Sequence, residues 1–294
     1  MLRYVNNSTI EFAAGAPDVY AFDGSGPGIS NGQRHSAPST DVRHFNPGFV
    51  AGFAKRIASL VKLGSQDLEE LRSLCRNCKW YEADYVLVSE GIATEDLWLI
   101  VQGLAYRYKL LSNGRRQILG YLLPGDICDL DFLASNSPDY SVALSTDSQV
   151  LRLPLQKIVA LRSRQSGIER SLLIGENARQ VLLREWLLNI CQRKALGKVG
   201  HFFCEMYHRY QAIGQISANG SFPLPIKQAE LADTAGLTLV HLNRTLQRMR
   251  EMSLIVLRHR RLTIVDVPRL EALSGFETKY LQCPLGQAGR VWPT

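Results

Sequence analysis

No apolar run in the 294 residues approaches the roughly 18 that a membrane-crossing helix needs. The first residues, MLRYVNNSTIEF, hold no apolar leader core either, so a cytoplasmic chain is expected. Cysteine is scarce: Cys75, Cys78, Cys128, Cys191, Cys204 and Cys283 are too few and too scattered for a disulfide scaffold. Reduced thiols are the expectation, with the last four as small buried hydrophobes. Histidine is absent from residues 79–154, where strand-like runs are densest, which speaks against a cupin-like metal enzyme built on barrel histidines. A nucleotide-binding glycine loop, G-x-S-x-G and H-E-x-x-H are also missing. The chain is read as not an enzyme, with no catalytic residue, metal or cofactor. Acids are the minority charge, 27 against 34 Lys and Arg, and the net +7 comes from the second half. A polyanionic partner follows from that placement.

What is present centres on residues 224–266. A short helix is expected from about Lys227 to Thr234, with Leu231, Ala232 and Ala235 inward, and Gly236 supplies the left-handed position of a tight turn. Thr238 then caps a second helix, 238–252, whose Leu242, Leu246 and Met249 recur at helical spacing. Its other face carries Leu239, Val240, His241, Asn243, Arg244, Gln247 and Arg248. Two strands, 254–257 and 261–265, flank a basic wing of Arg258, His259 and Arg260. From His241 to Arg261 there are six arginines and two histidines against one acid, Glu251. A helix set into the major groove needs fixed donors such as arginine for base edges and cations around them for phosphates. The candidate DNA contacts are therefore Thr238, Leu239, Val240, His241, Asn243, Arg244, Gln247, Arg248, Arg258 and Arg260.

The segment ELADTAGLTLVHLNRTLQRMREMSLI resembles the DNA-binding domain of the Crp/Fnr family of bacterial transcription regulators, in its alphaproteobacterial type. The resemblance implies an α+β chain: an N-terminal cyclic-nucleotide-binding-like β-roll (jelly roll), a long dimerisation helix and a C-terminal winged helix-turn-helix. It implies a homodimer on a palindromic promoter site in double-stranded DNA, with RNA polymerase as a further partner. Arg244 matches the family's recognition-helix arginine, and Val240 stands where the family often has a glutamate.

The chain in order supports that division. Residues 1–47 are rich in Gly, Ser, Pro and Asn without periodicity and are expected to be a disordered extension. Two amphipathic helices are expected at 49–63 and from Ser65 onward. Between Lys79 and Pro154, short strand-like runs are punctuated by glycines at 91, 103, 114 and 125, with Asn113-Gly114 a hairpin turn. This is the sensor roll, 48–165, closed by a short helix at 155–164. One long helix, 166–193, is apolar over more than one face, so a second burial partner is expected. Leu172, Ala178, Leu182 and Trp186 are the candidate dimer contacts. The winged domain follows at 194–275, with 214–222 as its link, and 276–294 is a loose tail.

The resemblance also frames what the roll senses. Leu130 and Tyr140 stand where cyclic-nucleotide relatives place a glutamate and an arginine, so a buried phosphate would face no cation. Cys75-x-x-Cys78 lacks the further thiolates of a cluster, Leu151 standing at the roll position. The alternatives left open are a nucleotide- or redox-responsive regulator with its ligand in the roll, and a β-roll interaction module that does not bind DNA.

Overall fold

The computed structural model describes residues 78–128, 137–164 and 166–281, with side chains 161–174 excepted. The extension, the helices at 49–63 and from Ser65, Cys75, Leu130, Cys283, the side chain of Leu172 and the tail beyond 281 lie outside that set.

Eight strands make two four-stranded antiparallel sheets: β1 (Cys78–Tyr81), β2 (Val86–Val88), β3 (Asp96–Gln102), β4 (Ala105–Leu110), β5 (Arg116–Leu122), β6 (Ile127–Cys128), β7 (Ser141–Leu144) and β8 (Ser148–Pro154). Strand order is β1-β8-β3-β6 in one sheet and β2-β7-β4-β5 in the other. The alternation read in the sequence puts Leu97, Leu99, Val150 and Leu151 of the first sheet against Val88, Ala105, Leu122, Val142 and Leu144 of the second. Asn113 and Gly114 do form the turn between β4 and β5. It is a longer hairpin loop, in which Leu111 N–H donates to Arg115 O (2.8 Å) and Gly114 takes φ 76°. Gly103 is required on two counts: its φ is +101°, and a Cβ there would lie 2.1 Å from Ser148 Oγ.

The opposite face of the β4-β5 sheet is not solvated. Tyr106, Ile118, Tyr121 and Leu123 share one core with the helical half of the chain, which comprises α1 (Leu155–Arg164), α2 (Ser166–Gln192), α3 (Ala195–Ala212), α4 (Gln228–Ala235), α5 (Leu239–Glu251) and α6 (Val267–Ser274). A three-stranded sheet, β10-β11-β9, completes it from β9 (Ser221–Pro223), β10 (Ile255–Arg258) and β11 (Arg261–Ile264). The sequence reading had only a link at 214–222, whose last two residues, with Pro223, pair with β11 in a run too short to show alternation.

Three further expectations need correction. Trp186 does not face outward from α2: it is buried in its own chain, and its Nε1 donates to Glu205 Oε2 (2.8 Å). A buried indole N–H needs an acceptor, and α3 supplies one. The tail is not loose from its first residue. Phe276 is buried against His208, and the Tyr280 hydroxyl donates to Glu205 Oε2 (3.2 Å). Cys191 is exposed on α2, whereas Cys128 and Cys204 are buried as expected. Burial pushes the Cys204 thiol up to about 12, so it is inert at neutral pH. No helix among the described residues is long and apolar enough to cross a membrane.

Candidate nucleic-acid interface

The turn between α4 and α5 is built as its residues require. Gly236 adopts φ 61°, ψ 38°, and Leu237 N–H returns to Ala232 O (3.0 Å). Thr238 then caps α5, its side-chain oxygen accepting from the His241 N–H (3.2 Å). Leu242, Leu246 and Met249 of α5 are buried with Leu231, Ala232 and Ala235 of α4. The hydrophobic stripe thereby fixes which face of α5 is left outside.

That outside face carries the expected residues. Thr238, Leu239, Val240, His241, Asn243, Arg244, Gln247 and Arg248 are all exposed, Val240 at 63%. The structure divides them further. Gln247 Nε2 donates to Glu251 Oε1 (3.1 Å), so its amide is engaged along its own helix. The guanidiniums of Arg244 and Arg248 enter no hydrogen bond or ion pair among the described residues, and the two residues lie one helical turn apart. No acid occupies the first turn of α5, so the positive end of its dipole stays uncompensated and suits a phosphate.

In the wing, β10 and β11 pair Arg258 with Arg261, and His259 and Arg260 close the turn at φ 50° and 58°. Two side-chain-bearing residues in the left-handed region cost about 1–2 kcal/mol each. Such strain is retained where the side chains themselves matter. Arg258, His259 and Arg260 are exposed, whereas Arg261 donates to Ser217 Oγ (2.6 Å) and Ser221 Oγ (3.0 Å) and braces the sheet. All ten sequence-derived DNA candidates thus lie on the exposed surface of one small unit.

Behind this surface lies a buried polar set that the sequence did not reveal. Glu205, fully buried in α3, receives Trp186, Arg209 and Tyr280, and Glu230 of α4 is buried with Ser145 donating to it (2.7 Å). Nothing in their spacing set them apart from solvated acids. His201 is 1% exposed, and burial and then the Arg193 guanidinium push it down to about 3, so it stays neutral. Its Nε2 is 3.1 Å from Glu185 Oε1 but out of hydrogen-bond alignment.

Burial raises the Glu230 carboxyl above its ordinary value, against the opposing pull of the Ser145 hydroxyl and Lys227. The folded chain therefore holds that proton at pH values where the unfolded chain has lost it. Stability present below the ordinary glutamate range declines as pH rises through the folded value. Glu230→Gln is expected to flatten this decline, seen as a smaller drop in Tm between about pH 5 and about pH 8 than in the parent. An equal drop in both proteins would mean that Glu230 is not the titrating group.

On the roll, Tyr140 is buried, and its hydroxyl accepts from Arg179 Nη1 of α2 (3.2 Å). The Arg107 and Arg179 guanidiniums each sit 5.8 Å from its ring centroid. The expectation of a cation-free neighbourhood fails here, because tertiary packing brings in arginines 33 and 39 residues away in sequence. Among the described residues no three His, Cys, Asp or Glu side chains converge as a metal site.

Comparison with known proteins follows the same division. Residues 197–273 match the model of the Crp-like helix-turn-helix domain, and residues 78–165 that of the cyclic nucleotide-binding domain. The chain is 27% identical over 239 residues to the nitrogen fixation regulation protein FixK of Bradyrhizobium diazoefficiens, covering 81% of this chain and 98% of that one. It is 26% identical to the transcriptional activator protein FnrL of Cereibacter sphaeroides, over 71% of this chain and 86% of the relative. The structure of FixK2 from Bradyrhizobium japonicum superposes with a TM-score of 0.61 at 24% identity, over 67% of this chain and 96% of the other.

Proposed function

The chain belongs to the Crp/Fnr family of transcription regulators, and from that premise we propose that it is a cytoplasmic, homodimeric regulator that reads a palindromic promoter site through α5. The observation that carries this reading is the exposed, unengaged Arg244 and Arg248 on a helix whose other face is locked into the core. Val240, Leu239, His241 and Asn243 near the open end of α5 surround Arg244 as the remaining base-edge candidates. Arg258 and Arg260 are phosphate contacts of the wing. A second copy docks along α2, whose Leu183, Leu187 and Leu188 are exposed at 42%, 63% and 52% in the single chain. Ala178 and Leu182 are half-buried beside them, at the margin of that seam. RNA polymerase is the partner through which bound protein would act on transcription.

The wing supplies the control for base reading. Arg258→Ala and Arg260→Ala are expected to weaken binding to all duplexes alike and to lower the slope of log affinity against log salt by about one per contact removed. Fluorescence anisotropy across a salt series, with a specific and a random duplex, measures both. An unchanged slope would remove the wing from the interface.

A further inference from the structure

The first helix of a helix-turn-helix needs one buried face, toward the second helix. Here α4 has two. Leu231, Ala232 and Ala235 meet α5, while Lys227, Glu230, Asp233 and Thr234, spaced three, three and one residues apart, line another side that lies on the roll of the same chain. Asp233 Oδ2 accepts from Arg116 Nε (3.0 Å) and Nη2 (2.8 Å), and Arg116 Nη1 continues to Tyr106 Oη (2.8 Å). Gln117 Nε2 donates to Asp233 O (2.9 Å). Thr234 gives its own proton to Glu230 O (2.7 Å), so the buried Tyr121 hydroxyl 3.0 Å away is the donor to Thr234. Ser145 donates to buried Glu230, and Lys227 Nζ pairs with Asp84 (2.7 Å) at the rim. On α3, Arg209 extends the same seam, donating to Tyr121 O and Asp126 Oδ2 (both 2.9 Å).

Groups such as Glu230 and Thr234, 1% and 3% exposed, are costly to bury without partners. The roll supplies those partners from β5 and from the turn after β7. The docked arrangement also leaves every base-edge candidate of α5 exposed, so the contact positions the helix without covering it. Arg179 against Tyr140 ties α2 to the same roll. A continuous set of contacts runs from Trp186 of α2 through Tyr121 of the roll to Thr234 of α4.

We propose that this α4-roll seam is a positioning device that holds each reading helix at a set distance from the dimer axis, so that the roll determines which half-site spacing the dimer accepts. This rests on the DNA reading above. A rigid connection concentrates the second helix at one spacing, whereas a winged domain held to α2 and the roll without the α4 contacts samples more.

The test uses the full chain, with a half-site recovered from a random duplex pool by selection with the parent protein. Affinities are measured for duplexes carrying two half-sites at the selected spacing, at one base pair more or less, and for a single half-site. The parent is expected to prefer its spacing by about tenfold or more, and Arg116→Ala and Asp233→Ala to reduce that preference to about threefold while single half-site affinity stays within about twofold. Exchanging the charges, Arg116→Asp with Asp233→Arg, is expected to restore part of the preference. Hydrogen exchange on the free proteins should show faster exchange in α4 and β5 for the single variants, with the melting of α5 and its core unchanged. Retained preference together with unchanged exchange in both single variants overturns the inference, as does a parent that binds half-sites without any spacing preference. A parent that binds no duplex at all overturns the DNA reading itself, and the exchange measurement then reports on the seam alone.

Discussion

Arg244→Ala is expected to weaken binding to the palindromic site by about 1–3 kcal/mol per half-site, or about 2–6 kcal/mol for a dimer whose halves act independently. The loss should be selective. A bidentate guanidinium contact to guanine carries sequence information, so the variant should accept other bases at one position in each half while random duplex is bound almost as before. The structure favours Arg244 because it projects from the exposed face of α5 near the capped end, with no internal partner among the described residues to compete for it. Competition binding with duplexes varied at each half-site position measures the effect. An equal loss for specific and random duplexes, with a reduced salt slope like that of the wing variants, would make Arg244 a phosphate anchor instead.

The second large effect concerns the dimer. Leu187→Glu, alone or with Leu183→Glu, is expected to move the protein from dimer to monomer at micromolar concentration. A carboxylate entering an apolar seam loses hydration without gaining a partner, at a cost of about 3 kcal/mol or more. In a two-fold interface each substitution is met twice. Both leucines are exposed in the single chain, so monomer stability should change little. Trp186→Ala should behave in the opposite way. Its indole fills the chain's own core against Tyr121 and Phe202, so about 3–5 kcal/mol of fold stability should be lost. Sedimentation separates the two, and a Leu183→Glu/Leu187→Glu protein that remains dimeric would move the interface off this stripe.

The differing roles of Leu187 and Trp186 mark where sequence reading reached its end. A helix apolar on more than one face announces two burial partners and says nothing about which residue meets which. Trp186 goes inward because Glu205 stands across from it on α3, and only packing of α2 on α3 decides that. The same holds for the exposed basic face, where the sequence counted Gln247 among the candidate contacts and Arg261 among the six arginines of the basic stretch. The structure commits Gln247 to Glu251, and Arg261 to Ser217 and Ser221.

The sequence by itself determined the helix-turn-helix, its capping threonine, its turn glycine and the outward set of α5. Each of these is encoded within a few contiguous residues, by backbone preference and by spacing of three and four. The strand runs of the roll were legible for the same reason, through alternation and glycine punctuation. Only the tertiary structure decided the seam between α4 and the roll. Arg116 and Asp233 are 117 positions apart, Tyr121 and Thr234 113, and Ser145 and Glu230 85. In a local reading those polar side chains are indistinguishable from solvated ones. Their pairing exists because burying Tyr106, Ile118 and Tyr121 under the helical half carries α4 onto the sheet, and the buried polar groups must then find donors and acceptors there.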